Sequence, residues 1–226
     1  MPTDSFPALA PLPAPAMADV LDSLRLLQRL EYLQSELYTR ALAAPGFVPA
    51  TDAPVFNKLN QQAAEHIGTL STLIRTRLGT PAVKPTTFDF TGKGAVPGFA
   101  FAAGQYETFR MLAQAFEDLG VRAYKGQVQA LQQDQGALNF VLALHSVEGR
   151  HAAEARRIRG KKGWVTGASA DDLPAFATAI YAGENVTTQG GVNVASGAVG
   201  TDAASQAFDE PLSTAEVTAI ITPFIT

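Results

Sequence analysis

Apolar side chains recur three and four positions apart in four long stretches of the chain, and each stretch is followed by residues that stop helices. The first predicts a helix over 18–42, ended by Pro45-Gly46. The second predicts one over 54–78, with Asp52 as its cap and Gly79-Thr80-Pro81 behind it. The third spans 98–131, although Gly120 and Gly126 weaken its far end. The fourth spans 134–159 and closes at Gly160. A loop rich in Thr, Pro and Gly, 81–97, separates the second from the third. No alternating strand pattern stands out between them. Four helices of about 25 residues, each with one apolar stripe, predict an all-α four-helix bundle.

The pattern changes after Trp164. Residues 171–182 can form a short helix, and 183–200, full of Gly, Asn, Thr and Val, read as an extended loop. Ser213-Thr214-Ala215-Glu216 is a capping box that opens a short apolar helix over 217–221, stopped by Pro223. Phe208, Leu212, Ile220, Ile221 and Phe224 make this tail too apolar to stand in water. Burying each such side chain is worth about 1.5–3 kcal/mol, so the tail is expected to pack on the bundle or on a neighbouring subunit. The expected organisation is a Pro/Ala-rich segment 1–17, a bundle 18–160, and a C-terminal extension 161–226 of short helices and loops, through which the chain is expected to form a homo-oligomer.

Composition narrows the function classes. The 226 residues, 46% hydrophobic and 17% charged, suit one domain with extensions and a sizeable core. With a net charge of −4 and no basic stripe, no nucleic-acid partner is expected. The basic cluster from Arg156 to Lys162 lies at the end of the fourth helix, where it complements the helix dipole. The absence of cysteine excludes disulfides, iron–sulfur clusters and thiolate zinc sites. No apolar run of about 18 residues occurs, so no transmembrane span is expected. Segment 1–17 lacks Lys and Arg and does not read as a signal peptide. The expected location is the cytoplasm if this N-terminus is native, or outside it if a signal has been removed.

The chemistry lies in what interrupts the apolar stripes. Glu31 falls among Leu24, Leu27 and Tyr38. His66 falls between Ala63 and Leu70, and Glu117 between Ala113 and Val121. Glu148 and His151 fall between Leu144 and Ala155. Glu36 and Glu65 belong to solvated faces instead. A buried carboxylate costs several kcal/mol unless it is paired or binds a metal. Three in one core repel each other, and two neutral imidazoles do not balance them. A divalent cation does, and this donor set suits iron, manganese or zinc. A network of protonated carboxyls and histidines is the alternative. Self-similarity supports convergence: Glu31 precedes His66 by 35 positions, Glu117 precedes His151 by 34, and Tyr38 and Tyr124 each follow their glutamate by seven. The chain reads as two related helix pairs meeting about a pseudo-twofold axis.

At these residues the sequence resembles the ferritin-like proteins, in particular the group that includes desiccation-associated ferritin-like proteins. The segments that carry the likeness are Leu30-Glu31-Tyr32-Leu33, Phe116 to Tyr124 and Ser146 to Ala153. In the tail they are Tyr181 to Asn185 and Ala207 to Leu212. The resemblance implies a carboxylate–histidine centre in which two helices give one Glu each and the other two a Glu-x-x-His each. Glu31 and Glu117 would be the lone glutamates, Glu148 and His151 one complete pair, and His66 the remnant of the other. The chain departs from that pattern at Ala63, three before His66, where a Glu is expected. Glu65 points away by helix geometry, and Gln62 offers an amide oxygen as a weaker ligand.

Three states follow: two ions with fewer protein ligands, one ion nearer Glu117, Glu148 and His151, or none. With two ions of iron or manganese the expectation is an oxidase or ferroxidase linked to oxidative or desiccation stress. With one ion or none it is a structural or stress-protective assembly protein. Ala63→Glu is expected to raise metal occupancy. Tyr38 and Tyr124 read as core residues or as hydrogen-bond donors to the ligands, Trp164 as a plug beneath the bundle, and His145 as an interface or surface residue. No catalytic residue is assigned beyond the ligands.

Overall fold

The structure, a computed structural model, describes residues 14–85, 87–196 and 199–225; most of the Pro/Ala-rich segment therefore lies outside the described residues. The four long helices are present as α1 (Ala14–Ala43), α2 (Ala53–Thr76), α3 (Tyr106–Leu131) and α4 (Gln135–Ile158). α1 packs along α2 and α3 along α4, so the bundle is two helical hairpins joined by a long crossover. The hairpins meet mainly through α1 and α3, whereas α2 and α4 barely touch. Leucines of α1 such as Leu24, Leu27 and Leu30 are fully buried at helical spacing. An aromatic cluster closes one end: Phe56 and Phe109 lie 4.7 Å apart, and Phe47 and Phe109 5.6 Å.

α3 begins at Tyr106 rather than at the expected 98. Gly98 and Gly104 adopt φ of +70° and +84°, which breaks the helical run. Asp52 stands at the N-cap of α2, as expected, but its side chain makes no capping bond: the carboxylate accepts the Tyr106 hydroxyl at 2.6 Å, and Pro54 lies in the first turn of the helix. Neither Gly120 nor Gly126 stops α3. A Cβ at 126 would lie 1.8 Å from the Leu212 carbonyl oxygen, so this glycine lets the tail lie directly on the helix.

The extension folds back over the bundle. The helix expected over 171–182 is shorter: a 3-10 turn at Ala175–Ala177 after Pro174, then α5 (Thr178–Tyr181). The expected loop contains a small hairpin, β1 (Thr188–Gln189) with β2 (Val192–Asn193), turned by Gly190 and Gly191 at positive φ. α6 (Thr201–Ser205) and α7 (Thr214–Ile221) follow, and α7 starts at the capping box read from sequence. Leu212, Ile220, Ile221 and Phe224 are buried, whereas Phe208 is exposed. Phe224 packs edge-on to Phe116 at 5.1 Å, and Asp89 in the crossover donates its amide to the Phe224 carbonyl. Arg122 of α3 anchors the extension by donating to the carbonyls of Ile180, Ala182 and Glu210 and by pairing with Glu184. Trp164 is 51% exposed and is not a plug: it lines a cavity of about 100 Å³ bounded by α3, α4 and the extension. No described helix is long and apolar enough to cross a membrane.

Candidate metal centre

Helical spacing sets each polar group at mid-bundle. Glu31, Gln34 and Tyr38 share the inner face of α1, and Glu117, Gly120 and Tyr124 share that of α3. α2 contributes His66, and α4 contributes Glu148 and His151 one turn apart. The structure brings all five sequence-singled side chains together, none more than 5% exposed. They form two triads, Glu31–His66–Glu148 and Glu117–Glu148–His151, that share Glu148 and could each hold an ion.

His66 Nδ1 lies 3.1 Å from Glu31 Oε1 and 3.2 Å from Glu148 Oε1. His151 Nδ1 lies 3.6 Å from Glu117 Oε2 and 3.3 Å from the same Glu148 Oε1. Donors about 2.1 Å from one ion stand about 3.0–3.4 Å apart, so this spacing suits shared coordination. Glu148 Oε1 is buried and has no hydrogen bond among the described residues, although two imidazole nitrogens face it. An orphaned carboxylate oxygen aimed between two imidazoles is what a cation position requires, and the residues fit the group that the sequence implies.

The electrostatics point the same way. Burial would raise the Glu148 carboxyl, but the close approach of His151 and His66 overcomes it and holds the group down at about 2. Burial would lower both imidazoles; the carboxylates that face them closely outweigh it and lift His66 and His151 to about 10. Burial and the neighbouring Glu148 charge push Glu31 up to about 7, and burial also raises Glu117. Without an ion, protons on the imidazoles offset the carboxylate charge.

Two tyrosines hold the lone glutamates, each across the pseudo-twofold axis. Tyr38 of α1 donates to Glu117 Oε1 of α3, and Tyr124 of α3 donates to Glu31 Oε1 of α1 at 2.5 Å. Both are fully buried, and their hydroxyls fix carboxylate oxygens rather than merely filling the core. Glu36 pairs with Arg40 and Lys84, and Glu65 is exposed beside Gln61, as their faces predict. Gln62 is not placed as a ligand. Its amide oxygen lies 3.1 Å from His151 Nε2, on the far side of the ring from the carboxylates. His145 is partly buried, with Nε2 lacking a partner among the described residues.

Sequence reading missed Gln34. Its Nε2 donates to the Phe116 carbonyl at 3.2 Å, to Glu117 Oε2 at 3.3 Å and to Glu148 Oε2 at 3.4 Å. Its place three after Glu31 and four before Tyr38, on the inner face, was the available signal. Offsets of 86 between α1 and α3 and of 85 between α2 and α4 relate the two halves. Gln34 then corresponds to Gly120, and Ala63 to Glu148. A Cβ at 120 would lie 2.6 Å from Glu148 Oε2, so α3 carries no side chain where α4 supplies its carboxylate. The other half is reversed: α2 has buried Ala63, and α1 has a full side chain, Gln34. A second set of buried polar residues also escaped the reading. Arg156 does not join the surface basic cluster; it is buried and forms a bidentate pair with Asp118, to which Tyr181 also donates.

Comparison with curated proteins finds no match to the chain. A profile of the ferritin-like domain matches residues 19–161, which run from within the first turns of α1 past the end of α4 and include every side chain of the centre. By this match over well more than half of its length, and by the bundle that the matched residues build, the chain belongs to the ferritin-like domain family.

Proposed function

We propose that the protein binds iron or manganese, with zinc as a further fitting ion, through Glu31, His66, Glu117, Glu148 and His151. We propose further that it acts as an oxidase or ferroxidase in oxidative or desiccation stress. When bound, a pair of such ions supplies electron transfer between ferrous iron and oxygen or peroxide. The chain's part is positional and protonic. Glu148 is the shared carboxylate, with His66 and His151 on either side of its Oε1. Tyr38 and Tyr124 hold Glu117 and Glu31 in place, and the buried leucine and phenylalanine shell excludes water. The imidazole protons leave as cation charge enters.

The observation that carries this reading is the buried, unbonded Glu148 Oε1 between two imidazole nitrogens. Metal analysis of protein purified without chelator, followed by oxygen consumption on adding ferrous iron, tests it. About two ions per chain with oxygen uptake are expected. Protein that takes up no ion from iron, manganese or zinc solutions overturns the reading.

Ala63, where a fourth carboxylate would stand, favours a second reading: one structural ion in a stress-protective assembly built through the extension. One ion per chain with no oxygen uptake, in a protein whose solution mass is a multiple of the chain mass, selects that reading.

A further inference from the structure

The two histidines of the centre are not equivalent. His151 Nδ1 faces Glu117 and Glu148, and on the other side of the ring Nε2 lies 3.1 Å from the Gln62 amide oxygen. An amide oxygen only accepts, so Nε2 must carry the proton, and the nitrogen left with a lone pair in the neutral ring is Nδ1. Gln62 makes this bond from α2 to α4, the neighbouring helices of the bundle that pack least closely. The corresponding residue behind His66, by the 85-residue offset, is Val147, whose side chain has no hydrogen-bonding atom.

We propose that Gln62 is a positioning residue: it fixes His151 as the Nε2–H tautomer and turns Nδ1 toward the carboxylates, preparing that half of the centre for an ion. This rests on the metal-binding reading above. A hydrogen-bond partner behind a ligating imidazole sets tautomer, orientation and basicity, and its loss typically costs about 10–100-fold in metal affinity. Gln62 is half-buried, so changes there leave the apolar core intact.

The test uses the full chain, zinc as a diamagnetic probe, and the variants Gln62→Leu and Gln62→Glu. Calorimetric titration gives affinity. Nitrogen-15 spectra of the imidazoles show which nitrogen of His151 holds zinc; the chain has three histidines, so assignment by single variants is direct. Gln62→Leu is expected to bind zinc about 10–100-fold more weakly and to lose the uniform Nδ1-bound signature of His151. Gln62→Glu, which still accepts from Nε2–H, is expected to restore both. Gln62→Leu binding zinc as tightly as the parent, with His151 still held through Nδ1, overturns the proposal and leaves the metal site standing. So does Gln62→Glu behaving like Gln62→Leu. A parent protein that takes up no zinc overturns the proposal together with the reading beneath it. Circular dichroism on the same samples verifies that each variant is folded, and Gln62→Glu, being isosteric, supplies the comparison if the leucine variant is not.

Discussion

Ala63→Glu, which the sequence alone leads one to expect will raise metal occupancy, sets its carboxylate against Gln34, the residue that by the internal repeat takes the place of Gly120. The structure gives the geometry on the intact side: Glu148 Oε2 comes within 2.6 Å of where a Cβ at Gly120 would sit. By the internal repeat, the Cβ of Gln34 occupies the matching place beside a glutamate at 63. The single variant therefore overpacks the core, at about 1–3 kcal/mol, and adds a buried charge whose unpaired cost is several kcal/mol. Gln34→Gly alone loses about 1 kcal/mol of helix propensity. It also removes an amide from two carboxylates, each such bond being worth about 1.5–3 kcal/mol. In the double variant the overlap disappears and an ion can use the new carboxylate. The pair is then expected to be more stable than the sum of the singles by about 1–3 kcal/mol, and by more with manganese or zinc present. Urea unfolding of the four proteins, with and without metal, gives the coupling, and metal analysis gives occupancy. Additivity within about 0.5 kcal/mol in both conditions would refute the pseudo-symmetry argument. So would Ala63→Glu alone taking up as much metal as the double variant.

Ion uptake at pH 7 should release about two to three protons per chain, since His66 and His151 are lifted to about 10 and must lose a proton to bind, and Glu31, pushed up to about 7, is partly protonated; titration calorimetry in buffers of different ionisation heat reads the number directly, and a value near zero refutes it. The same shifts set the pH dependence of the metal-free protein. Imidazoles raised above their usual 6.5 stabilise the fold fully below that pH, and the stabilisation is lost as pH rises through about 10. Metal-free protein should therefore lose stability between pH 7 and 10 while zinc-loaded protein does not, as thermal melts would show. Gly126→Ala should destabilise the protein although alanine is the better helix former by about 1 kcal/mol: its Cβ would meet backbone, the Leu212 carbonyl, and backbone cannot rotate away. Faster proteolysis of the extension with the bundle intact is the expected signature, and unchanged proteolysis would contradict it.

The face of each helix was legible because burial follows a 3.6-residue period, and five polar residues out of place on four stripes pointed to one centre. What lay beyond reach was pairing between elements. Gly120 and Gly126 read as weak points of a helix because propensity is local, yet both are explained by what crosses above them, Glu148 and Leu212. Gln34 looked like an ordinary polar residue because glutamine carries no formal charge, and nothing on α1 states that α3 and α4 present carboxylates to it. Gln62 was placed on the correct side of α2, but whether its oxygen faces an ion or the back of His151 depends on the separation of α2 from α4. Trp164 failed for a related reason: hydrophobicity predicts burial only on average, and the extension leaves it exposed where it lines a cavity.

The asymmetry around Gln34 also decides how charge is distributed as ions enter. Three carboxylates and two protonated imidazoles leave the metal-free centre with one net negative charge; a first divalent ion that displaces one imidazole proton would make it neutral, and a second that displaces the other would leave one positive charge in excess. A fourth carboxylate would have made the two-ion state neutral. Instead α1 supplies an amide whose hydrogens face Glu117 and Glu148, adding a positive dipole end where the second ion needs negative charge. The first ion should therefore bind more tightly than the second, and a zinc titration should resolve into two unequal steps. The Gln34→Gly, Ala63→Glu double variant, which restores the missing charge, should draw those steps together; two equal steps in the parent would mean that Glu148 and its neighbours do not feel the loss of charge at position 63.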